Sequence, residues 1–158
     1  MVPADVSGAI EDHRLTWQWP SGVRLAPAKN LHLTLHFLGD VSEGDEERLR
    51  AALATATMSP LDLTLAKPDV LNHGIAILRP QENEALRRLH AELRREIEGA
   101  GLPTDARYWQ PHVTLARRAA GATPPTQPAS IEWPARQFAL VLSKGGNYQV
   151  VQAWPATV

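Results

Sequence analysis

Two histidines of this chain stand in matching surroundings, Leu31-His32-Leu33-Thr34-Leu35 and Pro111-His112-Val113-Thr114-Leu115. An unperturbed imidazole titrates near pH ~6.5, so of two such rings beside one substrate one can accept a proton while the other donates one. The threonine two positions on carries a hydroxyl that can donate to a non-bridging phosphoryl oxygen and stabilise the charge that develops there. A 2′,3′-cyclic phosphate suits such a set: its ring is strained, the diester carries a single negative charge, and the leaving oxygen needs only a proton. The pattern therefore reads as phosphodiester chemistry, with His32 and His112 exchanging protons and Thr34 and Thr114 holding the phosphate. The scheme calls for no metal and no cofactor.

Strands are the elements that would position these residues. In 31–38 a period of two sends Leu31, Leu33, Leu35 and Phe37 to one face, read as core, and His32, Thr34 and His36 to the other. In 112–117 the same alternation sets Val113 and Leu115 against His112 and Thr114 and turns Arg117 away from the histidine face unless the strand ends or twists there. The copies lie 80 positions apart in 158 residues. That spacing suits one domain, 1–158, of two similar lobes carrying one motif each, related by a pseudo-twofold axis that brings both histidines to one cleft.

The rest of the chain alternates helix and strand signals. A loose helical spacing runs over 3–18, and a short strand over 23–26. Ser42 with Asp45 three residues on opens a helix through 56, with Leu49 and Leu53 on one face. Leu61, Leu63 and Leu65 alternate with other residues, and 74–78 is short and apolar, so two strands pair through Asn72-His73-Gly74. Over 82–98, Leu86, Leu89, Leu93 and Ile97 recur at helical spacing, with Arg87, Arg88, Arg94 and Arg95 read as solvated surface. The proline-rich 119–129 reads as an exposed loop, and 138–143 with 148–154 as a hairpin around Lys144-Gly145-Gly146-Asn147, where the glycines permit positive φ. The order implies an α+β domain, with helices on largely antiparallel sheets and one sheet face left open.

Composition narrows the partners. Sixteen Lys plus Arg against 17 Asp plus Glu give a net charge of −1, without the basic surplus of a protein that coats long nucleic acid, so an RNA partner is held at one local spot. There is no cysteine, no apolar stretch of membrane-spanning length and no signal-like start, which makes the cytoplasm the expected compartment.

The decapeptide Asn30-Leu31-His32-Leu33-Thr34-Leu35-His36-Phe37-Leu38-Gly39 and the heptapeptide Pro111-His112-Val113-Thr114-Leu115-Ala116-Arg117 resemble the two motifs of the 2H phosphoesterases. More narrowly, the chain resembles the bacterial RNA 2′,3′-cyclic phosphodiesterases, also called 2′-5′ RNA ligases, over most of its length. The resemblance implies a bilobal α+β fold of two sheets around a central cleft, hydrolysis of a terminal cyclic phosphate to a 2′-phosphomonoester, and reversible joining of RNA ends without ATP. It also implies the division of labour, His32 as proton donor to the leaving 3′ oxygen and His112 as the base that activates water. Two features depart from the family pattern: it has a hydrophobic strand ahead of the first helix, where this chain reads Met1-Val2-Pro3, and the position before Pro111 is Gln110 where relatives are often basic.

His36, Tyr108 and Arg117 are further candidate substrate contacts. His36 either lines the pocket or meets solvent at a strand end, and Tyr108 and Trp109 either stack on a base or pack. His13, His73 and His90 read as structural or incidental. Three functions fit: an enzyme acting on RNA ends or small cyclic nucleotides, a phosphodiesterase for another cyclic or 2′-5′-linked nucleotide, and a nucleotide-binding module without turnover.

Overall fold

The computed structural model describes residues 1–157, which form two compact units of interleaved chain segments. The first comprises Met1–Thr34, Asp62–Glu82 and Pro111–Ala135; the second comprises Leu35–Leu61, Asn83–Gln110 and the chain from Arg136 on. Among the described residues no helix is long and apolar enough to cross a membrane.

The first unit carries helix α1 (Ala4–Arg14), the two-residue strand β1 (Arg24–Leu25), β2 (Leu61–Leu71), β3 (Ile75–Pro80), β4 (Val113–Arg117) and β5 (Ile131–Ala135). The strands make one sheet in the order β1-β4-β3-β2-β5, with β1/β4, β4/β3 and β3/β2 antiparallel. Leu63 and Leu65 of β2 alternate inward as the sequence predicts, and they join Ala76, Ile77, Leu78, Val113, Leu115 and Ala116 in a core that also takes Val6 and Ile10 of α1. The C-terminal end of α1 is tied down by polar contacts. The buried Arg14 guanidinium donates to the carbonyls of Ala26, at 2.6 Å, and Leu115, at 3.2 Å. The Trp17 indole N–H donates to Nε2 of buried His13 at 2.9 Å, so His13 is the structural residue it was expected to be.

Strands β2 and β3 are joined through Asn72-His73-Gly74, as predicted, with φ of 67° at His73 and 71° at Gly74. Gly74 is constrained twice over: its backbone is left-handed, and a Cβ added there would meet the Ala120 nitrogen at 2.7 Å. The close approach exists because the Ala119 N–H donates to the Gly74 carbonyl at 2.8 Å, which pins the start of the 119–129 loop. That loop is pinned again where Gln18 and Thr123 exchange two backbone hydrogen bonds of 2.9 Å.

The second unit holds α2 (Glu43–Leu53), α3 (Glu84–Gly99) and the hairpin of β6 (Gln137–Lys144) and β7 (Asn147–Pro155). Ser42 caps α2 by accepting from the Asp45 N–H, as the sequence signature predicts, and Asn83 caps α3 by accepting from the Leu86 N–H. Leu86, Leu89, Leu93 and Ile97 are buried along one stripe of α3. Arg87, His90 and Arg94 form a second stripe and are half-buried, so Arg87 and Arg94 are not the solvated surface that the sequence predicts. Arg94 donates to the Asp105 carbonyl at 3.1 Å, and the Arg87 guanidinium lies 5.8 Å from the centre of the Tyr108 ring. Between them His90 is sandwiched, with ring centres 4.1 Å from His36 and 3.9 Å from Trp109 in nearly parallel stacks. Only Arg88 and Arg95 are as exposed as expected.

Two expectations about strands fail. The run 31–38 does not form a strand; a single antiparallel bridge joins Leu33 to Val113. Continuing that register would set Leu35 opposite Pro111, and the chain bends at Leu35, where the pairing ends. With the alternation broken, Phe37 is not core but 71% exposed. Conversely, β5 went unrecognised because Pro134 interrupts it, although Ile131, Trp133 and Ala135 alternate inward at the edge of the sheet, where a proline is tolerated.

Two stability tests follow. Gly74→Ala should destabilise the protein by more than Gly145→Ala, which has positive φ but open space around it; the left-handed penalty alone is about 1 kcal/mol or more, and the clash adds to it. Equal melting temperatures for the two variants would remove the role given to the close approach. The ring stack makes a second prediction. Burial, with the charges of His36, Arg94 and Arg87 adding to it, holds the His90 pKa down at about 4. The unfolded chain takes up that proton near pH ~6.5, so this contribution is present above that pH and lost progressively as pH falls toward about 4. His90→Phe, which keeps a stacking ring, should flatten the fall in melting temperature between pH 7 and 4.5; parallel profiles for the two proteins would contradict it.

Candidate functional site

The Leu33–Val113 bridge brings the two motifs together. In an antiparallel pair the neighbours of bridged residues face each other across the strands, so His32 stands opposite Thr114 and Thr34 opposite His112, with Cβ atoms of such pairs about 5 Å apart. Strand alternation about the bridge assigns these four residues to the face opposite to Leu33 and Val113. Both pairs belong to the first unit, which holds the chain through Thr34 and again from Pro111; the sequence reading had set one motif in each lobe.

Backbone contacts hold the first motif where a regular strand does not. A turn of 3₁₀ helix, Ala28–Asn30, lifts the chain away from β4 after β1, and the Val2 N–H then donates to the Leu31 carbonyl at 3.1 Å before the bridge at Leu33. Leu31 is the anchor, 1% exposed. Within this turn, buried Asn30 presents its carbonyl to His32 Nδ1 at 2.6 Å. Nδ1 therefore carries the proton and donates, leaving Nε2 as the ring's chemical end. Nothing in the sequence marks Asn30 for this, because the acceptor is a main-chain oxygen that any residue type would supply.

Burial pulls the His32 pKa below the ordinary imidazole value; the hydrogen bond to Asn30 works the other way, and the charges of the N-terminal amine and of His112 add to the lowering. A phosphate bound beside His32 would oppose that lowering by supplying negative charge. His32, His112 and Thr114 are half-buried and Thr34 is exposed, so the site is open to a ligand while its base is packed.

Arg117 reaches the same face by an irregularity. Strand β4 pairs Val113 with Leu78, Thr114 with Ile77 and then Ala116 with Ala76, so Leu115 is an extra residue, a β-bulge. The bulge shifts the alternation by one: Leu115 and Ala116 are both buried, and exposed Arg117 returns to the side of Thr114 and His112. The expectation that Arg117 turns away held only for a regular strand.

The remaining candidates lie in the second unit. His36 does not share a strand face with His32 and Thr34, because that strand is absent; its ring is stacked on His90, and its Nε2–H donates to the His90 carbonyl at 2.8 Å. Burial is the main cause of its lowered pKa. Trp109 packs in the same stack, while Tyr108 is 77% exposed beneath Arg87.

Comparison with known proteins gives the family and the fold. The family model described as the 2′-5′ RNA ligase superfamily matches residues 3–147. The RNA 2′,3′-cyclic phosphodiesterase of Escherichia coli is 29% identical, the match covering 99% of this chain and 93% of that protein. That of Thermus thermophilus is 32% identical, over 96% and 84%. The crystal structure of E. coli LigT complexed with 3′-AMP superposes with a TM-score of 0.84 at 28% identity, covering 100% of this chain and 95% of that one. A family model that matches nearly the whole chain, and relatives of the same α+β fold, settle the family: the chain belongs to the 2′-5′ RNA ligase superfamily, the 2H phosphoesterases.

Proposed function

We propose that the protein opens the terminal 2′,3′-cyclic phosphate of RNA to a 2′-phosphomonoester by two-histidine acid-base catalysis. The single observation that supports the reading is the Leu33–Val113 bridge, which pairs the two His-x-Thr motifs, with His32 within electrostatic reach of His112. His112 takes a proton from water as the water attacks phosphorus, while His32 gives a proton to the departing 3′ oxygen. Thr34 and Thr114 donate to the non-bridging oxygens, whose charge grows in the transition state. The relatives named above as RNA 2′,3′-cyclic phosphodiesterases support the substrate, and the nucleotides named in LigT structures support a nucleotide-sized ligand. With the 5′-hydroxyl of a second RNA end attacking in place of water, the same proton transfers open the cyclic phosphate to a 2′-5′ linkage and a free 3′-hydroxyl without ATP, and the reverse of that step cleaves the linkage.

In the free protein burial keeps His32 largely neutral at neutral pH, and the acid role requires it protonated. The negative charge of the substrate phosphate raises its affinity for the proton, so binding and protonation go together.

The test is turnover of an oligonucleotide ending in a 2′,3′-cyclic phosphate. His32→Ala and His112→Ala should each lower kcat by about 10²–10⁴-fold, with folding checked by thermal unfolding. EDTA should leave the wild type unchanged. Binding of the substrate without any turnover by the wild type would replace this reading with that of a nucleotide-binding module. The pH profile is a separate check. Because His32 must be protonated, kcat/KM should fall on the alkaline side with a midpoint below the ordinary imidazole value of ~6.5, and an alkaline midpoint well above neutrality would assign the acid role elsewhere.

A further inference from the structure

Arg24 stands directly across from Arg117 in the β1/β4 pair. Like charges opposite each other in an antiparallel pair are destabilising, and neither arginine has an ion pair to a carboxylate among the described residues. Both are exposed. By cross-strand register Arg24 shares the face of Arg117, and the bulge at Leu115 has already put Arg117 on the face of Thr114. Running along β4, that face therefore carries three cross-strand pairs in order: Thr34 with His112, His32 with Thr114, and Arg24 with Arg117.

From this order we infer that Arg24 and Arg117 form a second phosphate subsite, which holds the phosphodiester on the 5′ side of the nucleotide whose cyclic phosphate reacts. The inference rests on the function proposed above and narrows its substrate to an oligonucleotide end in preference to a cyclic mononucleotide. Two facing guanidiniums without a carboxylate repel each other until an anion lies between them, and a phosphodiester can accept from both forks at once. Thr114 and Arg117 are separated by roughly 10 Å of strand at the usual rise per residue, which a short stretch of single-stranded backbone spans. Only two arginines are involved, which agrees with a chain of net charge −1 that grips nucleic acid locally. Arg24 carries no motif signature in the sequence. Its place beside the site is visible only through the register of a two-residue strand.

The experiment compares kcat/KM for a nucleoside 2′,3′-cyclic monophosphate with that for a dinucleotide ending in a 2′,3′-cyclic phosphate. The wild type should favour the dinucleotide. Arg24→Gln should cut the dinucleotide-to-mononucleotide ratio by about tenfold, as expected for loss of one charged hydrogen-bonded contact, with the change in KM and little in kcat. Arg24→Lys should recover part of the ratio, keeping the charge without the fork. Arg117→Gln should lower the same ratio. A ratio unchanged by Arg24→Gln, with the wild type active on both substrates, overturns the subsite and leaves the proposed function standing. A wild type inactive on both substrates overturns the function and the subsite together.

Discussion

One backbone bridge, Leu33 to Val113, is the constraint on which the site depends. The pairing ends where the chain bends at Leu35, opposite Pro111. One bridge is enough. Antiparallel geometry fixes the faces of the residues on either side, so aligning two apolar side chains on the core face aligns two histidines and two threonines on the other. Buried Val113 resists slippage, because a shift of one residue would turn it outward and carry His112 toward the core. Packing and chemistry are thereby coupled: the register that buries Val113 also aligns the two motifs.

The sheet adds two departures from regularity, and each serves the same face. The 3₁₀ turn after β1 lets the edge strand leave β4 and return to it, and it delivers the Asn30 carbonyl that sets the His32 tautomer. The bulge at Leu115 returns Arg117 to the side of the histidines and brings Arg24 with it. Bulges and short edge strands are common devices for re-aiming a side chain without rebuilding a sheet. The second unit uses its histidines otherwise. His36 and His90 are spent on a stack with Trp109, where burial keeps the rings neutral. Side chains of one type thus serve as candidate catalysts in one place and as packing in another, and the local environment decides which.

Much of this was legible in the sequence, for physical reasons that can be named. The helical stripe of α3 and the hairpins at Asn72-His73-Gly74 and Gly145-Gly146 follow from local periodicity and turn chemistry, and so does the Ser42 cap. The two motifs were legible because a repeated pattern is informative where a single copy is not. What the sequence hid was long-range. The strand expected over 31–38 finds a partner only at Leu33, and Phe37 is exposed where the alternation predicts core. Arg117 changed face through a bulge that depends on how β4 pairs with β3, and Arg24 acquired its neighbour from 93 positions away through a two-residue strand. His36 looked like a site residue because its alternation matched His32, until the fold gave it His90 to stack on.

The central claim is that His32 and His112 share one site closely enough for His32 to sense the charge of His112. An NMR pH titration of the imidazole resonances in the wild type and in His112→Ala reads this directly. His32 should titrate below the ordinary imidazole value in the wild type, and its midpoint should move up when the charge of His112 is removed. A His32 titration unchanged by the substitution would mean that the rings are independent, and the two-histidine account would fail.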